Sequence, residues 1–240
     1  MTAVTLLALS DLHGKWFQEA AGLIAATQPG WIVLCGDLLP DFGRISGQES
    51  RLTAQRDFWR TYRSKFIRPF AVTTLVRGNH EIEGFRDRGL DRVPAGLVQH
   101  VVRLEGIPIE FGAFGWSREW EEEDLEEELG SQLREVPEPW IYVNHVPPFG
   151  CLDQTTGGRV GHRPLLRHLE ARQWPQALVL CGHVHEDFGH QVRGGTLVVN
   201  VACGYALVRW SEEDGPVLLA QGRLEAPGES GGDSGGTGIQ

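Results

Sequence analysis

Five short polar motifs, each directly after an apolar run, constrain the fold of this chain more than any other feature of its sequence. In chain order they are Asp11-Leu12-His13, Gly36-Asp37, Gly78-Asn79-His80-Glu81, Asn144-His145 and Gly182-His183-Val184-His185. Short apolar runs of this kind are typical of buried strands. The chain has nine histidines, and five of them lie in these motifs. This concentration of carboxylate, amide and imidazole groups at strand ends predicts a chemical site.

The order of the predicted elements favours an α/β fold. In the first third of the chain, strands alternate with helical patterns, which indicates parallel strands joined by right-handed crossovers. The middle of the chain predicts a hairpin of the runs over residues 97–104 and 107–114. Two further strands that carry motifs follow, and then antiparallel strands. The predicted strands cover residues 4–9, 31–35, 70–76, 97–104, 107–114, 140–143, 177–181, 188–192, 196–201, 206–210 and 217–221. The predicted helices cover residues 16–26, 52–66, 117–133 and 164–173.

Composition indicates one domain with a tail. Hydrophobic residues make up 41% of the 240 residues, which is enough for a sizeable core. No repeat or clear linker interrupts residues 1–225, so we expect a single domain there. Residues 226–240 are rich in glycine and serine and predict a disordered tail.

Charge narrows the choice of partners. The formal net charge is −10, so the chain repels polyanions at long range. Nucleic acid is therefore possible but not favoured as a partner, whereas a small phosphorylated substrate remains compatible because bound metal ions reverse the local field. No signal peptide and no membrane-spanning run is visible. We expect a cytoplasmic protein with no membrane partner, and the sequence leaves the oligomeric state open.

The cysteines indicate neither a disulfide framework nor a zinc knuckle. Cys35, Cys151, Cys181 and Cys203 form no C-x-x-C pair. Cys35 and Cys181 each end an apolar run, and we expect all four to be small buried core residues.

The motifs offer oxygen and nitrogen ligands without thiolate. Asp11 and His13 alternate, and so do His183 and His185, so in an extended backbone each pair would face one side. Carboxylate, imidazole and amide oxygen together suit manganese, iron or zinc. The ordered set therefore predicts a metal site for phosphoryl chemistry, although each motif alone is a weak signal.

The whole pattern resembles the calcineurin-like metallophosphoesterase superfamily, whose motifs read D-x-H, G-D, G-N-H-[DE], H and G-H-x-H. The match runs from Asp11 to His185. The resemblance implies two mixed β-sheets packed as a sandwich flanked by helices. It also implies a dinuclear metal centre, with manganese as the first choice and iron or zinc as alternatives.

Carried over residue by residue, the resemblance implies a role for each motif residue. Asp11, His13 and His185 would hold the first metal, and Asn79, His145 and His183 would hold the second. Asp37 would bridge the two metals. His80 would stand beside the phosphate as a general acid or transition-state stabiliser.

General chemistry supports these implied roles. Two divalent ions about 3.5–4 Å apart lower the pKa of a shared water and neutralise developing charge on phosphoryl oxygens. A histidine that titrates near neutrality can protonate an alkoxide leaving group. Glu81 either orients His80 or is simply solvated, and the sequence does not decide between these two.

A shorter resemblance concerns the substrate. Residues 144–150, together with Arg159-Val160-Gly161 and His185-Glu186, resemble the metallophosphoesterase-domain-containing subgroup, which implies phosphodiesters such as cyclic nucleotides. Phosphomonoesters, single-stranded nucleic acid and a non-catalytic scaffold stay as alternatives. Asp41 lies one position later than the second Asp of many relatives, which disfavours the protein Ser/Thr phosphatase branch. A long loop over residues 149–163 is predicted after His145, and its His162 and Arg163 are candidate substrate contacts.

Overall fold

The computed structural model describes residues 3–40, 46–67, 73–81, 101–103 and 141–224. These ranges contain three α-helices: α1 (Phe17–Thr27), α2 (Gln48–Tyr62) and α3 (Arg163–Ala171). A π-helical turn, Arg63–Ile67, extends α2. The described strands are β1 (Val4–Ser10), β2 (Trp31–Leu34), β3 (Thr73–Leu75), β4 (Val101–Arg103), β5 (Ile141–Val143), β6 (Gln154–Thr155), β7 (Gly158–Arg159), β8 (Leu178–Cys181), β9 (Gly189–Arg193), β10 (Thr196–Asn200), β11 (Gly204–Ser211) and β12 (Gly215–Arg223).

The strands form two mixed five-stranded sheets. Sheet 1 has the order β12-β11-β1-β2-β3. Strands β1, β2 and β3 are parallel to one another, whereas β11 is antiparallel to both β1 and β12. Sheet 2 has the order β4-β5-β8-β10-β9, in which β9 is antiparallel to β10 and the other neighbouring strands are parallel. Strands β6 and β7 form a small separate hairpin.

The side chains of each sheet alternate between two hydrophobic layers, as the two-residue period of a strand requires. Leu6 and Ala8 of β1 enter the core between the sheets, where they join Leu178 and Leu180 of β8. The intervening residues of β1 pack under α1 and α2, whereas those of β8 pack under α3. The layers are therefore helices, sheet 1, sheet 2 and helix.

This architecture confirms the predicted sandwich of two mixed sheets flanked by helices. The predicted loop over residues 149–163 differs, because it contains the β6–β7 hairpin. Several predictions lie outside the described residues: the strand over 107–114, most of its hairpin partner, the acidic helix over 117–133 and the tail over 226–240. Among the helices described, none combines the length and apolarity needed to cross a membrane.

Candidate metal centre

All five motifs follow the carboxyl ends of parallel strands, and main-chain hydrogen bonds join neighbouring motifs. The N–H of Asp11 donates to the carbonyl of Gly36 at 3.0 Å, and the N–H of Gly182 donates to the carbonyl of His145 at 2.8 Å. The two sheets meet where the N–H of His183 donates to the carboxylate of Asp11 at 3.0 Å. Strand ends of this kind are where α/β sheets bind ligands.

The motif backbones are not extended, so the expectation of alternating residues on an extended segment is wrong. Asp11 has a φ of 55° and His13 a φ of 45°, while Asp37 and His183 have φ values of 51° and 70°. Left-handed backbone is uncommon outside glycine and concentrates at functional sites. The side chains of each motif nevertheless converge, because the turns redirect them toward one point.

The first group comprises Asp11, His13 and His185. One ligand atom from each lies within 4.8 Å of the other two. The Asp11 Oδ1 is 3.2 Å from His185 Nε2 and 3.9 Å from His13 Nε2. Because Oδ2 of Asp11 already accepts the N–H of His183, Oδ1 is the oxygen that faces the group.

The second group comprises Asp37, His145 and His183, with Asn79 beside them. The three titratable residues also offer atoms within 4.8 Å of one another. The Asn79 Oδ1 lies 3.0 Å from His145 Nε2 and 2.9 Å from His183 Nδ1. The structure thus brings all seven predicted ligands to one place.

His80 joins the two groups. It forms a third set with His13 and Asp37 in which ligand atoms again lie within 4.8 Å. Its ring meets the ring of His13 edge to face, with 4.7 Å between centroids. The N–H of His80 donates to Asp37 Oδ1 at 2.7 Å, so the same carboxylate touches both the second group and the His80 backbone.

The hydrogen bonding of His145 tests whether a cation fits. Its Nδ1 donates to the carbonyl of Cys35 at 2.7 Å, so Nε2 carries a lone pair in the neutral ring. That lone pair points at the Asn79 oxygen and at Asp37 Oδ2, which is 3.3 Å away. Acceptors that converge in this way need a proton or a cation between them, and the donor set fits a metal ion.

Proton affinities indicate the same need for positive charge. Burial disfavours the ionised form of Asp11 and Asp37, yet the surrounding imidazoles hold the pKa of each carboxyl below its usual range. Burial also opposes a charged His145, but Asp37 raises its pKa to about 9. The hydrogen bond with Asp11 raises the pKa of His185 to about 10. Divalent ions would take the place of these protons.

Two motif glycines are required by close approach. A Cβ at Gly78 would overlap the carboxylate of Asp37, and a Cβ at Gly182 would overlap Ser10 and the carboxylate of Asp11. Glycine therefore allows these backbones to lie directly against the ligands.

Glu81 is buried, so the solvated alternative that the sequence left open is wrong. It is 3% exposed and accepts four main-chain N–H groups at 2.7–3.0 Å, which belong to Gly78, Asp37, Leu38 and Leu39. Burial and the nearby Asp37 raise the pKa of Glu81, while these N–H donors oppose the rise. Glu81 ties the second and third motifs together through their backbones.

Sequence reasoning missed Gln55. This buried residue of α2 donates from Nε2 to the main-chain carbonyls of His80 and Pro40. It fixes the segment that carries His80, although it lies 25 residues earlier in the chain. A single glutamine within a helical pattern carries no signal that could have identified it.

Asn200 supports the last motif. It is fully buried, and its Nδ2 donates to the carbonyls of Leu152, Val184 and Asp187 at 2.8–3.3 Å. Its Oδ1 accepts the N–H of Ala202. Asn200 therefore joins the loop after His145 to the turn that carries His183 and His185.

The two candidate substrate contacts lie in different environments. His162 is 8% exposed, and neither ring nitrogen has a hydrogen-bond partner among the described residues. Arg163 is exposed at the start of α3, with its guanidinium 3.7 Å from the centroid of the Phe149 ring. Arg163 is thus the member of the pair that can reach solvent.

The expectation that all four cysteines are core residues is wrong for Cys203. The other three are buried, but Cys203 is partly exposed and its Sγ lies 3.5 Å from His185 Nδ1. It follows β10 in a left-handed turn, with a φ of 52°, which turns the thiol toward the site.

Comparison with known proteins places these observations in a family. The family model for calcineurin-like phosphoesterases matches residues 4–187. The UPF0046 protein K07C11.7 of Caenorhabditis elegans is 38% identical over 77 residues, which are 32% of this chain and only 26% of that protein.

Solved structures share the fold. TT1561 of Thermus thermophilus superposes with a TM-score of 0.56 at 17% identity, covering 93% of this chain and 100% of that one. A dimetal phosphatase from Danio rerio gives a TM-score of 0.51 at 13% identity, covering 92% and 98% of the two chains. At such identities these structures establish the fold alone.

Proposed function

The chain belongs to the calcineurin-like phosphoesterase family, and on that premise we propose that it hydrolyses phosphoesters with the help of two divalent metal ions. The observation that carries the proposal is the set of buried carboxylates and converging imidazoles described above. Burying acceptors that face one another costs free energy unless a proton or a cation lies between them, so packing alone does not explain this arrangement. The Danio rerio neighbour is named a dimetal phosphatase, which agrees with this activity.

We assign the metal ligands by the two groups. Asp11, His13 and His185 would hold one ion, and Asn79, His145 and His183 would hold the other. Asp37 would bridge them, since it lies in sets with members of both groups. Manganese is the proposed metal, with iron or zinc as alternatives, because the donors are oxygen and imidazole nitrogen.

The protein's own residues would position the substrate and move the proton. When bound, the cations would supply Lewis-acid stabilisation to the phosphoryl oxygens and would lower the pKa of solvent at the site. His80, whose side chain is 33% exposed, would hold a proton at Nε2 for the departing ester oxygen. Asp37 and Gln55 would fix the His80 backbone for this transfer.

The proposed substrates are small soluble phosphodiesters such as cyclic nucleotides. The net charge of −10 supports a small substrate over a polynucleotide. Arg163 and His162 are the proposed contacts for the substrate, with the exposed Arg163 placed to meet its phosphate. Phosphomonoesters remain the main alternative, followed by single-stranded nucleic acid.

The rest of the proposal concerns organisation and place. We propose that residues 1–225 form one domain with residues 226–240 as a tail, because one core joins both sheets within the described residues. A cytoplasmic location is proposed on the sequence argument alone.

The test is a panel of matched esters assayed with manganese-loaded protein. Cyclic and linear diesters should be hydrolysed faster than the corresponding monoesters, and chelation should abolish turnover. Faster hydrolysis of every monoester would replace the diesterase proposal with a monoesterase. Absence of turnover in a protein that holds two metal ions per chain would contradict hydrolysis altogether and favour a scaffold.

A further inference from the structure

A cleft of about 620 Å³ opens between the start of α1 and the end of α2. This size is within the range of pockets that enclose small molecules. We call it the α1–α2 cleft. The described residues that matter for its chemistry are Lys15, Trp16, Phe17, Phe58, Tyr62 and Lys65.

The walls of the α1–α2 cleft are aromatic. The Phe17 ring lies 4.0 Å from the Tyr62 ring and 5.7 Å from the Phe58 ring, measured between centroids. Trp16 and Phe17 are only partly buried, and both line the cleft. Aromatic walls favour a flat ring as occupant, because stacked and edge-to-face geometries add to the burial of apolar surface.

Charge at the rim of the cleft is mainly positive. Lys15 and Lys65 are exposed, whereas Glu19 is the carboxylate among the described lining residues. The Lys15 ammonium lies 5.7 Å from the Trp16 ring centroid. In a chain of net charge −10, two lysines at one opening favour an anionic occupant.

Both walls of the cleft are connected through the chain to segments that carry metal-centre residues. On the α1 side its lining begins at Gly14, the residue after His13. On the α2 side, Gln55 donates to the main-chain carbonyl of His80, and Phe58 and Tyr62 follow on the same face of the helix. Seven residues of helix span about 10 Å. Phe58 and Tyr62 therefore lie within about that distance, measured along the helix, of the residue that bonds the His80 segment.

We propose, on the basis of the proposed phosphoesterase activity, that the α1–α2 cleft binds an aromatic ring carried by one ester group of the substrate. The phosphoryl group would lie between His13 and His80, and the ring would lie against Phe17 and Phe58. Lys15 and Lys65 would attract the anion to the opening. The substrate class is thus narrowed to esters of nucleosides or aryl alcohols.

Calorimetry on the manganese-loaded full chain tests this binding without relying on turnover. Phenylphosphonate is compared with methylphosphonate, and thymidine 5′-phosphate with deoxyribose 5-phosphate. Burial of a ring should make at least one ring-bearing ligand about tenfold tighter than its partner. The pair with the larger ratio identifies an aryl or a nucleobase ring.

Filling the cleft gives the matched control. Ala21 lines the cleft and Ala26 is exposed elsewhere on α1. Ala21→Phe should bring the affinity ratio to about one, while Ala26→Phe should leave it unchanged. Thr61→Trp, from the α2 wall, fills the same space if Ala21→Phe does not fold.

Two results would overturn the inference. One is that, in the unaltered protein, each ring-bearing ligand binds no more tightly than its ring-free partner. The other is that Ala21→Phe or Thr61→Trp leaves the ratio of the two affinities unchanged. Either result leaves the phosphoesterase proposal intact if esters are still hydrolysed. If no ester is hydrolysed but the ring-bearing ligands still bind about tenfold more tightly, the phosphoesterase proposal is wrong and the ring-binding cleft stands.

Discussion

The two sheets contribute differently to the metal centre. Sheet 1 supplies both carboxylates, Asp11 and Asp37, and both are almost wholly buried. Sheet 2 supplies imidazoles only, from His145, His183 and His185. The negative charge of the ligand set therefore comes from sheet 1, whereas sheet 2 contributes imidazole nitrogens. Sheet 1 also supplies His13, Asn79 and His80, so the comparison shows that each of the two ligand groups contains donors from both sheets.

The buried side chains that hold the backbones of the two halves also differ in charge. On the sheet 1 side, the Glu81 carboxylate gathers four main-chain N–H groups. On the sheet 2 side, the neutral Asn200 amide bonds three carbonyls and one N–H. Hydrogen bonds to a charged group are stronger than those to a neutral one, so we expect the sheet 1 half to be the more sensitive.

The largest effect should follow from removing the carboxylate that contacts both halves. Asp37→Ala should lose bound metal and reduce turnover to background, because the bridge and the partner of His145 disappear together. Metal content by mass spectrometry and turnover should fall in parallel. Asp57→Ala, at an exposed ion pair on α2, should change neither. An active Asp37→Ala protein that retains both metal ions would contradict the bridge.

His80→Ala should lower turnover by about 10²–10⁴-fold while metal stays bound, since acid–base help has this usual worth. This would separate chemistry from metal binding within the sheet 1 half. His190→Ala, at an exposed ring bonded to Gln221, is the control. Full activity in His80→Ala would refute the proposed role.

Glu81→Gln should lower the free energy of unfolding by about 2–4 kcal/mol, because the new amide group faces N–H donors that lose their acceptor. Urea denaturation measures the change, and Glu49→Gln at an exposed position of α2 is the control. Equal stability of the two variants would show that the N–H cluster does not depend on the carboxylate.

Asn200→Ala should lower the free energy of unfolding by less, about 1–2 kcal/mol, because the amide that it removes from the sheet 2 half is neutral. The same denaturation experiment gives the comparison with Glu81→Gln. A larger loss for Asn200→Ala would reverse the ranking of the two halves.

The smallest effect concerns the loop beside sheet 2. Burial, and then nearby Arg167, lower the pKa of His162 to about 4. The unfolded chain then binds more protons than the folded one below about pH 6.5, so stability is present above that pH and is lost as the pH falls toward 4. When the pH is lowered from 7 to 5.5, the free energy of unfolding should fall by about 1 kcal/mol more in the unaltered protein than in His162→Leu. Parallel pH profiles would argue against a neutral buried ring.

Much of the fold could be predicted from sequence. The apolar runs before Asp11 and Gly182 identified buried strands, and Gly194-Gly195 marked a hairpin that the structure confirms. These signals are local, because side-chain periodicity and turn chemistry act over a few residues. Cys203 was misjudged since its exposure depends on a left-handed turn that no neighbouring residue announces.

The sequence by itself determined the chemical identity of the donors and their order at the ends of strands. Only the tertiary structure decided that Glu81 would hold the backbones of two motifs, that Gln55 would hold His80, and that a ring-lined cleft would open beside them. These contacts join residues far apart in the chain. Their existence depends on how two sheets and two helices pack, which is fixed by the whole core and not by any short stretch of residues.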